Sequence, residues 1–241
     1  MPDLPTPPPQ NVSAPGWKAD LAHRLWHLLP LKIVGVSLWN WVFFIGYFHL
    51  LRNPAFPVTT MPLTPVDHAI ALQPGWLAAY LTLWVYVGIA PGLMLRLREM
   101  LVYGAWAGAM CASGLALFYF WPTAVPPTGV DVSQYPGFAL LQGVDAAGNA
   151  CPSMHVASAA FSAPWIDRLL REARAPGWLR LVNLAWFVAI AYSTLAVKQH
   201  VFLDLLGGLA LGGAFAFVSL RAGRLETRGA DRAAPAISSA P

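Results

Sequence analysis

The chain has 241 residues, of which 57% are hydrophobic and 11% charged, and its formal net charge is +4. Because soluble domains carry about a quarter charged residues, this composition excludes an ordinary soluble protein. A basic balance would point to nucleic acid in a soluble chain, whereas here it reflects basic loops beside a membrane. We therefore predict an integral membrane protein that contacts membrane lipid and binds no nucleic acid.

The two ends of the chain differ in composition from the part between them. Residues 1–16 are rich in proline and polar residues and lack the basic and then apolar order of a signal peptide. We predict a disordered cytoplasmic segment over 1–30 and a disordered cytoplasmic tail over 222–241. Residues 31–221 form the predicted membrane domain.

Six apolar runs divide the membrane domain, and a membrane-spanning helix needs about 20 such residues. In chain order the runs are 33–51, 76–95, 100–121, 154–170, 181–198 and 201–220. The fourth and fifth are short, yet both could still cross the membrane with their polar ends at the interface. If the N-terminus is cytoplasmic, thirteen of the fifteen lysines and arginines fall on cytoplasmic segments, and only Arg52 and Lys198 do not. This asymmetry predicts an all-α, six-span transmembrane helical bundle with both termini cytoplasmic.

The last apolar run carries four glycines in a pattern of small residues spaced four apart. Its members are Gly207, Gly208, Gly212 and Gly213. Small residues at this spacing let two helices in a membrane approach closely. We interpret the pattern as packing within one chain, and a dimer contact is the alternative.

A polar island between the fifth and sixth runs holds His200 and Asp204, which lie on the predicted outer side. Four residues apart on a helix, the two side chains share one face. A carboxylate that accepts a hydrogen bond from one imidazole nitrogen leaves the other nitrogen free to attack. The pair is therefore a candidate nucleophile with its orienting group, although an interfacial histidine beside an unrelated aspartate would look the same.

A second polar island, Cys151–His155, precedes the fourth run on the same predicted side. Ser153 stands where a helix would begin, and the free N–H groups of a helix N-terminus suit a phosphate. His155, in the first turn, could give a proton to a leaving oxygen. Lys198 lies two positions from His200 and could offset phosphate charge, or it could simply reach along the interface as lysines do.

Together these residues resemble the type 2 phosphatidic acid phosphatase superfamily of membrane phosphatases and phosphotransferases. The third motif of that family reads Ser-Arg, five residues, His, three residues, Asp, and the residues from Ser193 and Thr194 to His200 and Asp204 keep that spacing. Its second motif, Pro-Ser-Gly-His, corresponds to Pro152–His155, which reads Pro-Ser-Met-His.

The resemblance implies a role for each matching position. His200 would form a phosphohistidine, Asp204 would orient it, and His155 would protonate the leaving alkoxide. The remaining predicted phosphate-binding or substrate-binding residues are Ser153, Lys198, Ser193 and Thr194. No metal or other cofactor is implied.

The chain departs from the family pattern at Thr194, where an arginine is usual, and at Met154, where a glycine is usual. The first motif, Lys, six residues, Arg-Pro, does not occur. These departures resemble the subgroup that contains inositol phosphorylceramide synthase, as do the segments Met61–Pro65 and Tyr119–Thr123.

The resemblance implies a lipid phosphatase or phosphotransferase that acts on a phospholipid or lipid phosphate, with water or an alcohol such as inositol as acceptor. The expected location is a bacterial inner membrane with the site facing the periplasm. Two other interpretations stay open: a degenerate member that serves as a transporter or scaffold, and a membrane haem or metal protein with His155 and His200 as ligands. The oligomeric state is open.

Overall fold

A computed structural model describes residues 16–127, 135, 137–138 and 148–233 of the chain, with the backbone alone over 223–233. The described helices are α1 (Trp17–Trp26), α2 (Leu29–Arg52), α3 (Pro65–Ala69), α4 (Leu77–Leu81), α5 (Leu83–Leu93), α6 (Leu97–Phe120), α7 (Met154–Glu172), α8 (Gly177–Ala196) and α9 (Phe202–Ala233). A single 3-10 turn at Pro74–Trp76 leads into α4. Strands β1 (Thr59–Thr60) and β2 (Thr123–Ala124) pair in parallel.

Among the described residues, five helical segments are long and apolar enough to cross a membrane. They are Leu29–Arg52, Pro74–Leu93, Leu97–Phe120, Gly177–Ala196 and Phe202–Ala222. These segments expose large apolar side chains such as Leu101 and Leu181, at 65% and 66% of their surface. Because water would not tolerate so much apolar surface, lipid must cover it. The prediction of a predominantly helical protein with membrane-spanning helices is confirmed, apart from the short β1–β2 pair, and the count of six spans stays a prediction.

The fourth predicted span, 154–170, lies within α7, a helix of 19 residues that is not among the five segments. It packs against α9, α8 and α5, which surround it and bury most of its length. A helix enclosed by other helices needs no lipid-facing apolar surface, so it can carry polar residues such as Ser162 and a charged end at Asp167. Its lower hydropathy therefore follows from its central position.

The glycines of α9 bring that helix against α7. A Cβ atom on Gly208 would lie 2.5 Å from the Ser153 carbonyl oxygen, and one on Gly212 would lie 2.8 Å from the Ala157 carbonyl carbon. Only a residue without a side chain permits this approach. The interpretation of the pattern as packing within one chain is confirmed for these two glycines.

Two segments predicted to be disordered contain helix. Residues 17–26, within the segment 1–30, form α1, whose Leu21 packs against the core and whose Arg24 carbonyl accepts a 2.6 Å hydrogen bond from Lys32 Nζ. We did not predict α1, because the residues that precede it in the chain are rich in proline. In the segment 222–241, the α9 backbone stays helical to Ala233, through a stretch rich in helix-forming alanine and arginine.

The loops at one end of the bundle are joined to one another; we call this end, where α7 and α9 begin, the site end. The strands bring the segments around Met61 and Thr123 together, and Cys151 N donates a 2.8 Å hydrogen bond to the Thr123 hydroxyl. A small apolar cluster lies beneath them, formed by Met61, Val125, Ala150 and Val201. Since Ala150 precedes one polar island and Val201 lies inside the other, this cluster holds the two islands together.

Candidate active site

His200 lies in the short connection between α8 and α9. The backbone N–H groups of Gln199 and His200 both donate to the Thr194 carbonyl oxygen, each at 3.1 Å. The connection is tight because Lys198 takes a left-handed backbone conformation, with φ of 59°. The end of α8 therefore fixes the backbone that carries the candidate nucleophile.

Asp204 lies in the first turn of α9 and is fully buried. Its Oδ2 accepts a 2.9 Å hydrogen bond from Val201 N, which caps the helix, and lies 3.5 Å from His200 Nδ1. That second distance exceeds the roughly 2.7–3.2 Å of a hydrogen bond. His200 Nδ1 and Asp204 Oδ1 are both buried without a hydrogen-bond partner among the described residues. The predicted pair is thus adjacent, and a small rotation of either side chain would join it.

His155 is held on two sides. Its Nε2 lies 2.9 Å from the Tyr80 carbonyl oxygen, and its ring stacks on the Tyr80 ring with centroids 3.9 Å apart and planes 13° apart. Because a carbonyl oxygen can only accept, Nε2 carries the proton and Nδ1 is the nitrogen available to exchange one. The Tyr80 contacts therefore fix both the orientation of the ring and its tautomer.

Ser153 joins the two islands directly. Its hydroxyl accepts a 3.2 Å hydrogen bond from Val156 N, as an N-cap does, so the predicted helix start is confirmed. Its backbone N–H donates at 3.0 Å to the carbonyl oxygen of Asp204. The hydroxyl proton is left to donate elsewhere, since the capping bond uses only a lone pair of the oxygen.

Met154, which stands where the family has glycine, fills a space that α6 leaves open. The side chain lies against Gly114, where any Cβ atom would overlap the Met154 sulfur and lie 3.1 Å from its Cε. The larger residue in the motif is thus matched by a glycine on the facing helix.

The other predicted phosphate-binding residues have their polar atoms engaged. The hydroxyls of Ser193 and Thr194 are fully buried and donate to the carbonyl oxygens one turn earlier, Ile190 at 2.6 Å and Ala191 at 2.8 Å. Lys198 Nζ donates to two carbonyl oxygens at the end of α3, those of Asp67 at 2.9 Å and of Ile70. In this arrangement the polar groups of these three residues bond to the backbone, and none of the three lines the cavity that contains the histidines.

Arg52, the other basic residue on the predicted outer side, is also placed away from the histidines. Its guanidinium lies over the Phe48 ring, 5.5 Å from the ring centroid. It does not line the cavity that contains His155 and His200.

Asp67 is a residue whose role the sequence did not reveal. Its Oδ1 accepts a 2.8 Å hydrogen bond from Phe202 N, while its Oδ2 accepts from Thr64 N and the Thr64 hydroxyl, each at 2.7 Å. Although burial opposes ionisation, these hydrogen bonds and the charge of Lys198 lower the pKa of Asp67 below its ordinary value. The side chain thus ties the loop after α2 to the start of α9, two residues from His200. Its only sequence signal is the capping pattern of Thr64 and Asp67 around α3.

One cavity of about 590 Å³ contains both histidines. At the site end it is lined by His155, His200, Asn149, Tyr80 and Trp84. From there it continues between α2, α5, α6 and α7 along mostly apolar side chains. The Asn149 side chain donates a 3.0 Å hydrogen bond to the Tyr47 carbonyl oxygen, which fixes one wall. The arrangement places the candidate nucleophile and the candidate acid at one end of an apolar space, with Asp204 beside His200.

One comparison with known proteins finds a match. The family model described as the PAP2 superfamily matches residues 109–228, a range that contains both histidines and Asp204. The match is to the superfamily and not to a subgroup, and α2 and Asp67 lie outside it. Neither a curated protein nor a solved structure matches the chain.

Proposed function

We propose that the chain is a PAP2-superfamily membrane enzyme that cleaves a lipid phosphoester through a phosphohistidine at His200. The observation that carries the proposal is that His155 and His200 line one cavity, with Asp204 directly behind His200. The apolar remainder of the cavity suits a lipid better than a water-soluble ester. The match of residues 109–228 to the superfamily supports the same reaction class.

The proposed reaction has two steps. His200 Nε2 forms a bond to phosphorus while the bond from phosphorus to the leaving oxygen breaks, and that oxygen takes the Nδ1 proton of a doubly protonated His155, which keeps its proton on Nε2. Water or an alcohol then gives a proton to His155 Nδ1 and attacks phosphorus, which breaks the phosphorus–nitrogen bond. A hydrogen bond from His200 Nδ1 to Asp204 would stabilise the positive imidazole that forms in the first step.

The phosphate must be held without the usual arginine of the third motif. The start of α7 supplies the groups for this, because the backbone N–H groups of Met154 and His155 lie in its first turn, where the helix itself does not use them. The hydroxyl proton of Ser153 adds a third donor. Neutral donors at a helix N-terminus bind an anion more weakly than arginine does, which favours a phosphodiester of one negative charge over a phosphomonoester.

The membrane orientation is part of the proposal. Arg168 and Arg171 lie at the end of α7, and Arg180 lies near the start of α8, so this group is far from the site end. Since basic loops stay in the cytoplasm, the site end would face the periplasm of a bacterial inner membrane, with six spans and both termini inside.

Purified protein assayed with a panel of phospholipids and lipid phosphates, with and without inositol, tests the function. We expect release of phosphate or formation of a new phospholipid, and we expect His200→Ala to abolish it while leaving the protein folded. Turnover by His200→Ala at the wild-type rate would exclude this mechanism. A folded wild-type protein that turns over no member of the panel would favour the transporter or scaffold interpretation instead.

A further inference from the structure

The apolar cavity runs much further than the reacting groups require. On α2 its lining residues recur at helical spacing from Leu31 to Tyr47, which is about 24 Å along the helix axis. Half of a bilayer's hydrocarbon core is about 15 Å thick, so the cavity extends beyond the middle of the membrane. A phosphate headgroup fills only the end beside the histidines, and the rest needs another occupant.

Three of the polar side chains along the cavity bond to the protein itself. The hydroxyls of Tyr103 and Ser162 lie 3.2 Å apart and bond to each other. At the far end Lys32 Nζ donates to the carbonyl oxygens of Arg24 and Gly92, at 2.6 Å and 2.7 Å. Asn40 and Ser158 also line the cavity, and most of its remaining lining is apolar, so the space beyond the histidines offers mainly hydrocarbon surface to its occupant.

The cavity opens sideways between α2 and α6. Near the site end the two helices touch, since a Cβ atom on Gly46 would lie 3.1 Å from Leu115 Cδ1. Further from the site, Cβ atoms on Gly35 and Gly104 would meet no atom within 4 Å, although both residues line the cavity. The neighbouring lining residues Leu31 and Leu101 are 45% and 65% exposed on the lipid-facing surface. The helices therefore part toward the far end and leave an opening onto the bilayer.

We propose that this space holds one acyl chain of the substrate, which enters from the bilayer between α2 and α6, and that Gly35 and Gly104 determine which chain lengths fit. This proposal rests on the proposed function, which supplies a lipid ester at His200. A chain drawn from a bilayer gains no hydrophobic energy in an apolar cavity, because it leaves an equally apolar solvent. The cavity can therefore select a chain length only by steric exclusion of chains that are too long. The two glycines leave space at positions where a larger side chain would exclude a long chain.

The two glycines lie at the same depth in the cavity, because α2 and α6 run side by side in one register. A Cβ atom on Gly46 would lie 3.1 Å from Leu115 Cδ1, and one on Gly108 would lie 3.9 Å from Trp39 Nε1. Gly35 and Gly104 are each eleven residues from the Gly46–Leu115 contact, or about 16 Å along the helix axis. A large side chain at either glycine would therefore block the cavity at the same distance from the site.

The variants Gly104→Leu and Gly35→Leu test the proposal on a series of monoacyl lipid phosphodiesters of increasing chain length. We expect Gly104→Leu and Gly35→Leu each to lower kcat/KM roughly tenfold or more for chains longer than about 16 Å, because the two glycines lie at the same depth. Short chains should react at the wild-type rate with both variants. Gly88→Leu is the matched control, because Gly88 also has no atom within 4 Å of a Cβ position and does not line the cavity.

Equal losses at every chain length, or no loss in folded Gly104→Leu, would overturn the proposal. A second readout is independent of turnover: a lipid phosphate with a photoreactive group at its chain end should label α2 and α6 near Gly35 and Gly104 in the wild type, and Gly104→Leu should remove that labelling. Labelling confined to the outer faces of the helices would also overturn it. If the wild type is labelled inside the cavity but turns over no lipid, the result supports the acyl-chain site and contradicts the proposed function.

Discussion

The two histidines of the site are held in opposite ways. His155 is clamped by Tyr80, which stacks on its ring and accepts from its Nε2 at 2.9 Å. His200 is fixed through its backbone, while its Nδ1 stops 3.5 Å short of the Asp204 carboxylate and makes no hydrogen bond among the described residues. The candidate acid is thus preorganised, and the candidate nucleophile is adjacent to its partner without being joined to it.

Because of this difference, we expect substrate binding to bring His200 and Asp204 into a hydrogen bond. Catalytic hydrogen bonds are often long in an enzyme without substrate and tighten when the substrate binds. Asp204 Oδ1 is buried without a partner, which is costly for a carboxylate and gives the pair a reason to close once His200 becomes positively charged. We therefore expect the reactivity of His200 to depend on the charge of Asp204, and proton transfer by His155 to depend on the position of its ring.

The largest effect should come from removing the carboxylate behind the nucleophile. We expect Asp204→Ala to lower kcat by roughly 10³–10⁴-fold, as loss of an orienting carboxylate does in other histidine-dependent enzymes. Steady-state kinetics with a lipid phosphoester would measure it. Asp167→Asn is the control, because Asp167 pairs with Arg171 and Arg180 at the opposite end of the bundle. A loss below tenfold in folded Asp204→Ala would mean that His200 needs no partner.

A smaller and more selective effect is expected at His155. His155→Gln should slow the reaction of an alkyl phosphoester by roughly 10²–10³-fold, because the leaving alkoxide then lacks its acid. An ester with a nitrophenol leaving group needs no protonation, so the release of nitrophenol in the first turnover should be almost as fast as with the wild type. If the first turnover of both esters slows equally, His155 does not act as the acid.

The smallest effect is expected at Asp67, which acts on His200 only through the start of α9. In Asp67→Asn the amide oxygen can accept from Phe202 N or from Thr64, but not from both sides at once. The amide nitrogen then faces the remaining donors and cannot accept a hydrogen bond from them. We expect a loss of about 1–3 kcal/mol in unfolding free energy and a loss in kcat of roughly tenfold or less. Thermal unfolding and kinetics of the variant measure both.

The Asp67 effect should also depend on pH. Since the folded-state pKa of Asp67 lies below its ordinary value of 3.8, the stabilisation is complete above that value and is lost as the pH falls through the folded-state pKa. The wild type and Asp67→Asn should therefore converge in stability at the acid end of the range. A constant difference in stability down to the lowest pH would show that the carboxylate charge is not involved.

The sequence predicted the parts of the site that are local in the chain. His200 with Asp204 and Ser153 with His155 each lie within four residues, so spacing alone predicted that each pair is adjacent, although His200 lies just before α9 and not on it. Tyr80 could not be predicted, because it lies 75 residues from His155 in the chain and contacts it through both its ring and its backbone carbonyl.

The fold was predictable to a similar extent. Five spans follow from apolar length, whereas α7 is less apolar because its neighbours shield it from lipid. The helix α1 escaped prediction, since it depends on contacts with distant residues such as Leu93, whose carbonyl oxygen accepts from Arg24 at 3.4 Å. Local composition therefore could not predict α1 or the lower hydropathy of α7, because both depend on packing between distant parts of the chain.

The central claim is that His200 is the residue that carries the phosphoryl group, and a direct measurement is available. The folded His155→Gln protein, supplied with a nitrophenyl phosphoester and quenched in base, should accumulate the intermediate, because the acceptor then lacks the group that takes its proton. Peptide mass spectrometry is expected to find the phosphoryl group on His200 and to lose it in His155→Gln combined with His200→Ala. Turnover with no phosphorylated histidine, or with the group on another side chain such as Ser153, would contradict the account.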